Sequence, residues 1–541
     1  MNMNQEKEIL YNGIHLPDEW PPKDLDTSSH QPLPVPCLED PPEVIPINIG
    51  RQLFVDDFLI ESTTLGRCFH KARLHSINPV LKPETALEMN QGKCPVAAPF
   101  NDGVWYDPVQ KQFKMWYHAG WFDGIGYAVS ENGIDWHRPM LDILPGTNRV
   151  IPVRAGYQRD GAMVWLDQET SDPKERYKMF AYFRHADGEG GEIRTSHDGI
   201  HWSDPKPTGP CGDNTSFFYN PFRKKWVYSI RSGKKVPGRV RLYREHDSFI
   251  EGGSWTPEDC IFWSRTDHLD QPDPEMGNWF RSGSLYTTQL YDLNAVPYES
   301  IMLGIFGILK GYDNDVCTAG GLPKINDFIL GYSRDGFHWD RPDRTPFLAA
   351  TRTKGDWNRA YLHAAGGVCL VVGDLLYFYF GAWSGNSPVN GESTYAGGST
   401  GLAVLRRDGF ASMNASFTTG SLTTKPVLFQ NGKYLFVNAN TENGMLQVEV
   451  LDKDGRVIEP FTRDNSKTIC KDSTCHLVEW ADGNDLSKLR NQPVKFLFYL
   501  TNGQLYSFWV SPENNGASHG YVAAGGPGFT AATDTVGNGI V

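Results

Sequence analysis

Apolar and polar residues alternate along most of this chain, in short runs cut by Asp-Pro, Asp-Gly and Asn-Gly turns. A period of two belongs to β-strands with one face buried. The pattern also repeats on a longer scale. "YAVSENGIDWHRP" at 127–139 returns as "IRTSHDGIHWSDP" at 193–205 and as "GYSRDGFHWDRP" at 331–342. Each copy is an alternating strand, an Asp/Asn-Gly turn, an apolar residue, a Trp two positions later and a closing Pro.

Extended upstream, the copies become units of three or four strands. The first runs from "PVAAPFNDGVWYDPVQKQFKMWYHAG" and the second from "RDGAMVWLDQETSDPKERYKMFAYFR". The third opens with "GDNTSFFYNPFRKKWVYSIRS" and the fourth with "GSLYTTQLYDLNAVPYESIMLGIFGI". A fifth, "AYLHAAGGVCLVVGDLLYFYFGAWSG", leads to an Arg-Asp-Gly turn without the Trp. Five antiparallel units predict an all-β fold with a five-bladed propeller over 49–410. The turn residues Trp136, Trp202, Trp255 and Trp339 read as blade packing, not chemistry. A propeller must close to hide its sheet edges, and the early strand "LFVDDFLI" is available to complete the last blade.

Residues 1–48, rich in Pro and acidic residues, read as an extended arm. From 411 the hairpin turns Asn431-Gly432, Asp454-Gly455 and Asn502-Gly503 separate strands of a β-sandwich over 411–541. Its glycine-rich tail, "GGPGFTAATDTVGNGIV", reads as loop.

Charge narrows the partners. A formal net charge of −13 argues against nucleic acid and anionic membranes, which need clustered Lys and Arg. No apolar run reaches the length of a membrane span, and the N-terminus lacks the layout of a secretion signal. A cytoplasmic location is expected. The nine cysteines show no zinc-ligand spacing, so no metal and no cofactor is expected. Cys470 and Cys475 are close enough to pair, but the cysteines read mainly as reduced thiols.

Propeller blades aim the openings of their innermost strands into one funnel, which directs attention to ionisable residues there. The first four units supply Asp102 (in Asn101-Asp102-Gly103), Asp160 (after Arg159), Asp213 (after Gly212) and Glu299 (in Tyr298-Glu299-Ser300). The fifth offers His363. Glu299, inside an otherwise apolar stretch, is the expected general acid, because burial raises a carboxyl pKa. Asp102 is the expected base or nucleophile. Two carboxyls in opposed environments are the minimum apparatus for glycosidic cleavage. Structural alternatives stand beside each: an Asx turn for Asp102, an ion pair with Arg159 for Asp160, a turn cap for Asp213 and a satisfied core position for Glu299. Trp105, Trp121 and Trp383 are candidates for sugar stacking or for core packing. The roles of Asp56 and Asp57 are open.

At this point the chain resembles a family. Five blades followed by a sandwich is similar to the invertase, levanase and inulinase glycosidases (glycoside hydrolase family 32). The propeller alone resembles the arabinanases and xylosidases of family 43. "FNDGVWYDPVQKQFKMWYH" resembles the fructosidases' first-blade nucleophile segment and would place that nucleophile at Asp102. Arg159-Asp160 is similar to their Arg-Asp-Pro stabiliser, with Gly161 in place of Pro, while their Glu-Cys acid motif is absent. The arabinanase resemblance implies Asp102 as base, Asp213 as the tuning Asp and Glu299 as acid, and "INPVLKPE" at 77–84 looks like that clan's lead-in. The expected function is hydrolysis of a furanoside-type bond, fructosyl or arabinosyl, in an oligosaccharide or small glycoside, with Arg159, Asp160 and His363 on the substrate. The alternatives are a non-catalytic carbohydrate-binding propeller and a phosphate-dependent glycoside phosphorylase.

Overall fold

The computed structural model describes residues 8–232, 238–274, 288–312, 314–320 and 323–539. Residues 283–287, in the opening of the fourth unit, lie outside that set. The fold is all-β. Among the described residues α-helix is confined to four short segments, the longest being Asn314–Gly320.

Five antiparallel blades follow one another along the chain. Their innermost strands are Val96–Asp107, Gln158–Leu166, Ser216–Asn220, Gln289–Glu299 and Ala360–Ala364. The first four touch in sequence. The fifth touches Ile301–Leu309 of blade 4 and then Val96–Asp107, which completes the ring. Blade 5 also joins blade 1 through a short parallel ladder, Gly398 opposite Val96 and Ser399 opposite Ala97. Closure of the ring leaves only the short outer edges of the blades.

The repeated turn explains how neighbouring blades lock. In blades 1, 2 and 4 a Ser hydroxyl (Ser130, Ser196, Ser333) accepts from the turn Gly N–H at 2.9 Å. In the same turns the side chain of Asn132, Asp198 or Asp335 accepts from the two N–H groups after that Gly. The glycines adopt φ of 74°, 82° and 82°, where L side chains are strained. Each finished turn then receives a donor from the preceding blade. Tyr379 of blade 5 donates to Gly133 O, Trp116 of blade 1 to Gly199 O, and Trp263 of blade 3 to Phe337 O. The motif is a blade-to-blade latch.

Two six-stranded sheets form the sandwich, and their inner faces enclose a second apolar core that includes Phe54, Leu422, Val448, Phe496, Phe498 and Phe508. Here the structure departs from expectation. "LFVDDFLI" does not close the last blade: Gln52–Leu53 pairs with Gly503–Ser511 and Ile60–Thr63 with Gly420–Thr424, both in the sandwich. Blade 5 takes its outer strand from Arg73–Leu74 instead. The reason is apolar content on both sides, since Phe54, Phe58 and Leu59 all enter the sandwich core. Near the tail, Tyr521–Val522 adds a strand to the inner edge of blade 4. Ala524 O and Gly525 O then accept from Tyr106 N and Val371 N, tying the tail to blades 1 and 5.

The arm residues pack on the blades. Tyr11 donates to Ser300 O and Asn12 to Arg334 O, while Arg265 donates to Thr27 O and His268 N to His30 O. Asp56 forms a two-pronged pair with Arg334, both contacts at 2.8 Å. Asp57, on the surface, pairs with Arg67. All nine cysteines are free thiols.

Candidate functional site

Successive residues of a strand face opposite ways, and blade 2 uses this at its opening. Arg159 turns toward blade 1 and pairs with Asp102. Asp160 turns toward Arg184, which comes from the second strand of its own blade, Tyr177–His185. Arg184 Nε donates to Asp160 Oδ2 at 2.7 Å, and its Nη2 lies 3.4 Å from Asp213 Oδ2 at the opening of blade 3. A side chain on Gly161 would collide with the Asp213 carbonyl, so glycine here lets blades 2 and 3 bring the two carboxylates to one guanidinium.

The two carboxylates differ in proton affinity. Burial, and then the charge of Asp213, push Asp160 up to about 6 despite Arg184. Asp213 is held below its ordinary value: burial opposes its ionisation, but Arg231, Arg184, Lys324 and Arg239 outweigh it. Asp213 is partly open to solvent, with 18% of its side chain exposed, and Arg184 with 38%. This is the funnel mouth.

Deeper in the channel the groups are fully buried. Asp102 accepts from Phe100 N at 2.7 Å, and burial raises its pKa against the pull of Arg159. His363 Nδ1 lies 3.5 Å from Asp292 Oδ2, and its ring sits 3.9 Å from that of Phe100. Burial lowers the His363 pKa, with Asp292 opposing. Asn294 donates to Asn101 across the channel at 3.0 Å. Lys324 is 1% exposed and donates to the hydroxyls of Tyr291 at 3.0 Å and Tyr361 at 3.2 Å.

The tryptophans divide. Trp105 is buried between blades 1 and 2, its Nε1 donating to Val164 O at 2.8 Å. Trp383 is fully buried in an apolar cluster with Phe100 and Tyr361. Neither presents a face to a sugar, because both fill gaps between strands. Trp121 is half-buried and stacked on Tyr395 at 4.6 Å.

Glu299 is elsewhere. Tyr298 pairs with Ile301, so Glu299 and Ser300 form the hairpin turn at the far end of the blade 4 inner strand. Seven residues separate Glu299 from Asp292, or about 20 Å along a strand. Its carboxylate is already saturated. Oε2 accepts from Arg51 N at 3.1 Å and Ser518 Oγ at 2.7 Å, while Oε1 lies 3.0 Å from Arg407 Nη2 and 3.4 Å from Arg51 Nε. Arg407 also pairs with Asp534 and Arg51 with Asp408. Burial raises the Glu299 pKa, as expected from sequence, but the site is a closed knot joining blade 4, the sandwich and the tail. A general acid cannot work from there on a bond at Asp102 or Asp213.

Sequence reasoning missed Arg184, Arg231, Arg239, Lys324 and Asp292. Asp292 satisfies the criterion that selected Glu299, a carboxylate in an apolar strand. Lys324 opens the apolar segment "INDFIL" as a lone cation. Among the described residues no group of three or more His, Cys, Asp or Glu side chains is placed to hold a metal ion.

No family model matches this chain, and no curated protein does. Some solved structures are similar to it at low identity and low TM-score. An N-acetylgalactosamine deacetylase from F. plautii, in complex with blood group B trisaccharide, is 13% identical over 63% of this chain and 96% of that one, with a TM-score of 0.44. A thermostable family-43 glycoside hydrolase is 12% identical over 60% and 96%, with a TM-score of 0.38. A β-1,2-mannobiose phosphorylase from Listeria innocua is 13% identical over 62% and 96%, with a TM-score of 0.39.

Proposed function

We propose that this protein cleaves glycosidic bonds at the funnel mouth, with Asp160 as general acid and Asp213 as base or nucleophile. One observation carries the reading: a single guanidinium holds two carboxylates from adjacent blades whose proton affinities are pushed apart. A carboxyl poised near 6 can deliver a proton to a leaving oxygen, and a neighbour kept ionised can attack or activate water. Asp102 serves by fixing Arg159 beneath the pair, and Trp121 with Tyr395 offers an aromatic wall at the mouth. The furanoside-type substrate, fructosyl or arabinosyl, is the resemblance's contribution to this reading.

The test is a screen of aryl glycosides, fructans and arabino-oligosaccharides with wild type, Asp160→Asn and Asp213→Asn. Turnover of at least one glycoside, lost in both variants, is the expected outcome. Binding without turnover by wild type would point to a carbohydrate-binding propeller instead.

A further inference from the structure

More positive groups gather at the funnel mouth than the two carboxylates need. Arg184 serves Asp160, Asp213 and the exposed Glu189. Arg231 comes no closer than 3.5 Å to Asp213 and keeps 30% of its side chain exposed. Arg239 donates to the neutral Gln289 carbonyl at 2.5 Å and lies over the Tyr291 ring at 5.3 Å. Lys324 is buried against the same ring at 4.5 Å and that of Tyr361 at 4.4 Å. Among the described residues neither Arg239 nor Lys324 has a carboxylate within 4 Å. Two buried lysines elsewhere in the blades are paired, Lys114 with Asp107 and Lys178 with Asp167.

A buried ammonium without a counter-ion is costly, and two aromatic faces offset only part of that cost. Burial and then the charge of Arg239 pull the Lys324 pKa well below its ordinary value, so an arriving anion would favour its charged form. Arg239 and Lys324 converge on Tyr291, while Arg231 approaches the same space from the Asp213 side. All three charges act on Asp213. We infer that Lys324, Arg239 and Arg231 form an oxyanion subsite beside the Asp160–Asp213 pair. Its ligand is a carboxylate, sulfate or phosphate group. Two sources offer that chemistry: an acidic group on the sugar next to the scissile bond, or inorganic phosphate as the attacking co-substrate. With phosphate, its oxygen would bond to the anomeric carbon as the glycosidic C–O bond breaks, and the Asp160 proton would pass to the departing oxygen. The subsite's place beside the reacting bond rests on the proposed function, but its binding of anions can be measured without it.

The experiment titrates the whole protein with inorganic phosphate, methyl glucuronide and sulfate, following tryptophan fluorescence and thermal stabilisation. Chloride at matched ionic strength and neutral methyl glucoside are the controls. Saturable binding of at least one oxyanion is expected, weakened about 10- to 100-fold in Arg239→Gln and in Lys324→Met. Arg456→Gln, in an exposed sandwich turn, should leave it unchanged. Half-buried Arg239 gives a variant that should fold even where Lys324→Met does not. Phosphate binding with phosphate-dependent turnover identifies free phosphate as the source. Binding of the glucuronide or sulfate with phosphate-independent turnover identifies an acidic sugar. No oxyanion bound better than chloride, or binding unaltered in Arg239→Gln, overturns the subsite. Asp160-dependent turnover of neutral glycosides without oxyanion binding would sink the subsite and leave the glycosidase reading standing. Oxyanion binding without any glycoside turnover would do the reverse.

Discussion

At the far end of blade 4 both oxygens of Glu299 are engaged, by Arg51, Arg407 and Ser518, which are themselves buried. At the funnel end, Asp160 and Asp213 share a half-exposed arginine, and among the described residues Lys324 and Arg239 have no carboxylate within 4 Å. Both ends hold acids and arginines. The far end uses them to join segments distant in sequence: residues 51, 299, 407–408, 518 and 534. The mouth keeps its carboxylates on a half-exposed arginine and sets a half-buried Arg239 and a buried Lys324 behind them. Burial and a raised pKa therefore do not by themselves mark a catalytic carboxyl, and an incomplete set of partners is the better sign.

The comparison can be broken by exchanging charges at each end. The largest effect is expected at the mouth. Asp213→Asn and Asp160→Asn should each lower turnover by about 10²–10⁴-fold, with little change in the urea unfolding midpoint. The pH profile of kcat/KM sharpens the assignment. Asp160 must be protonated to act as acid, so activity should fall as pH rises through about 6. It should persist at acid pH until Asp213, held low, begins to take up a proton. An alkaline limb that does not move in Asp160→Asn would argue against that role.

At the far end, Arg407→Gln strands Glu299 and Asp534 as buried, under-paired acids. A loss of about 3–5 kcal/mol in unfolding free energy is expected, with activity per folded molecule unchanged. Acid should loosen the same knot. Burial works against Asp408, but Arg51, Arg407 and two hydroxyl donors hold it at about 2. Its folded pKa lies below its unfolded one, so its contribution is present above pH 4 and lost as pH falls toward 2. That contribution is about 2 kcal/mol, and Asp408→Asn should flatten the acid limb of the stability curve. The smallest effect belongs to a single latch. Trp116→Phe removes the donor to Gly199 O and should cost about 1–2 kcal/mol, measured by urea unfolding.

The blades were legible in the sequence because their signals are local. A Ser, an Asp or Asn and a Gly within four positions make the whole hydrogen-bonded turn, and its Trp and Pro follow at once. The strand-opening carboxylates were legible for the same reason. Arg184 was not, because it reaches Asp160 from a partner strand 24 residues later. Glu299 was misread because a turn was hidden in an apolar run. It adopts a φ of 50°, a region usually left to Gly, Asn or Asp, so no turn residue announced the hairpin. The apolar "LFVDDFLI" suits either core equally, and only pairing partners more than 300 residues away decide between them. Tyr521–Val522 is too short to carry any periodicity.

The central claim is that chemistry sits at the mouth and not at the far end of blade 4. Turnover per folded molecule, measured side by side for Asp160→Asn and Glu299→Gln on one glycoside with a poor leaving group, tests it most directly. The account predicts that Asp160→Asn loses nearly all activity, while Glu299→Gln keeps it and unfolds more readily. A folded Glu299→Gln protein without activity, beside an active Asp160→Asn, would contradict it.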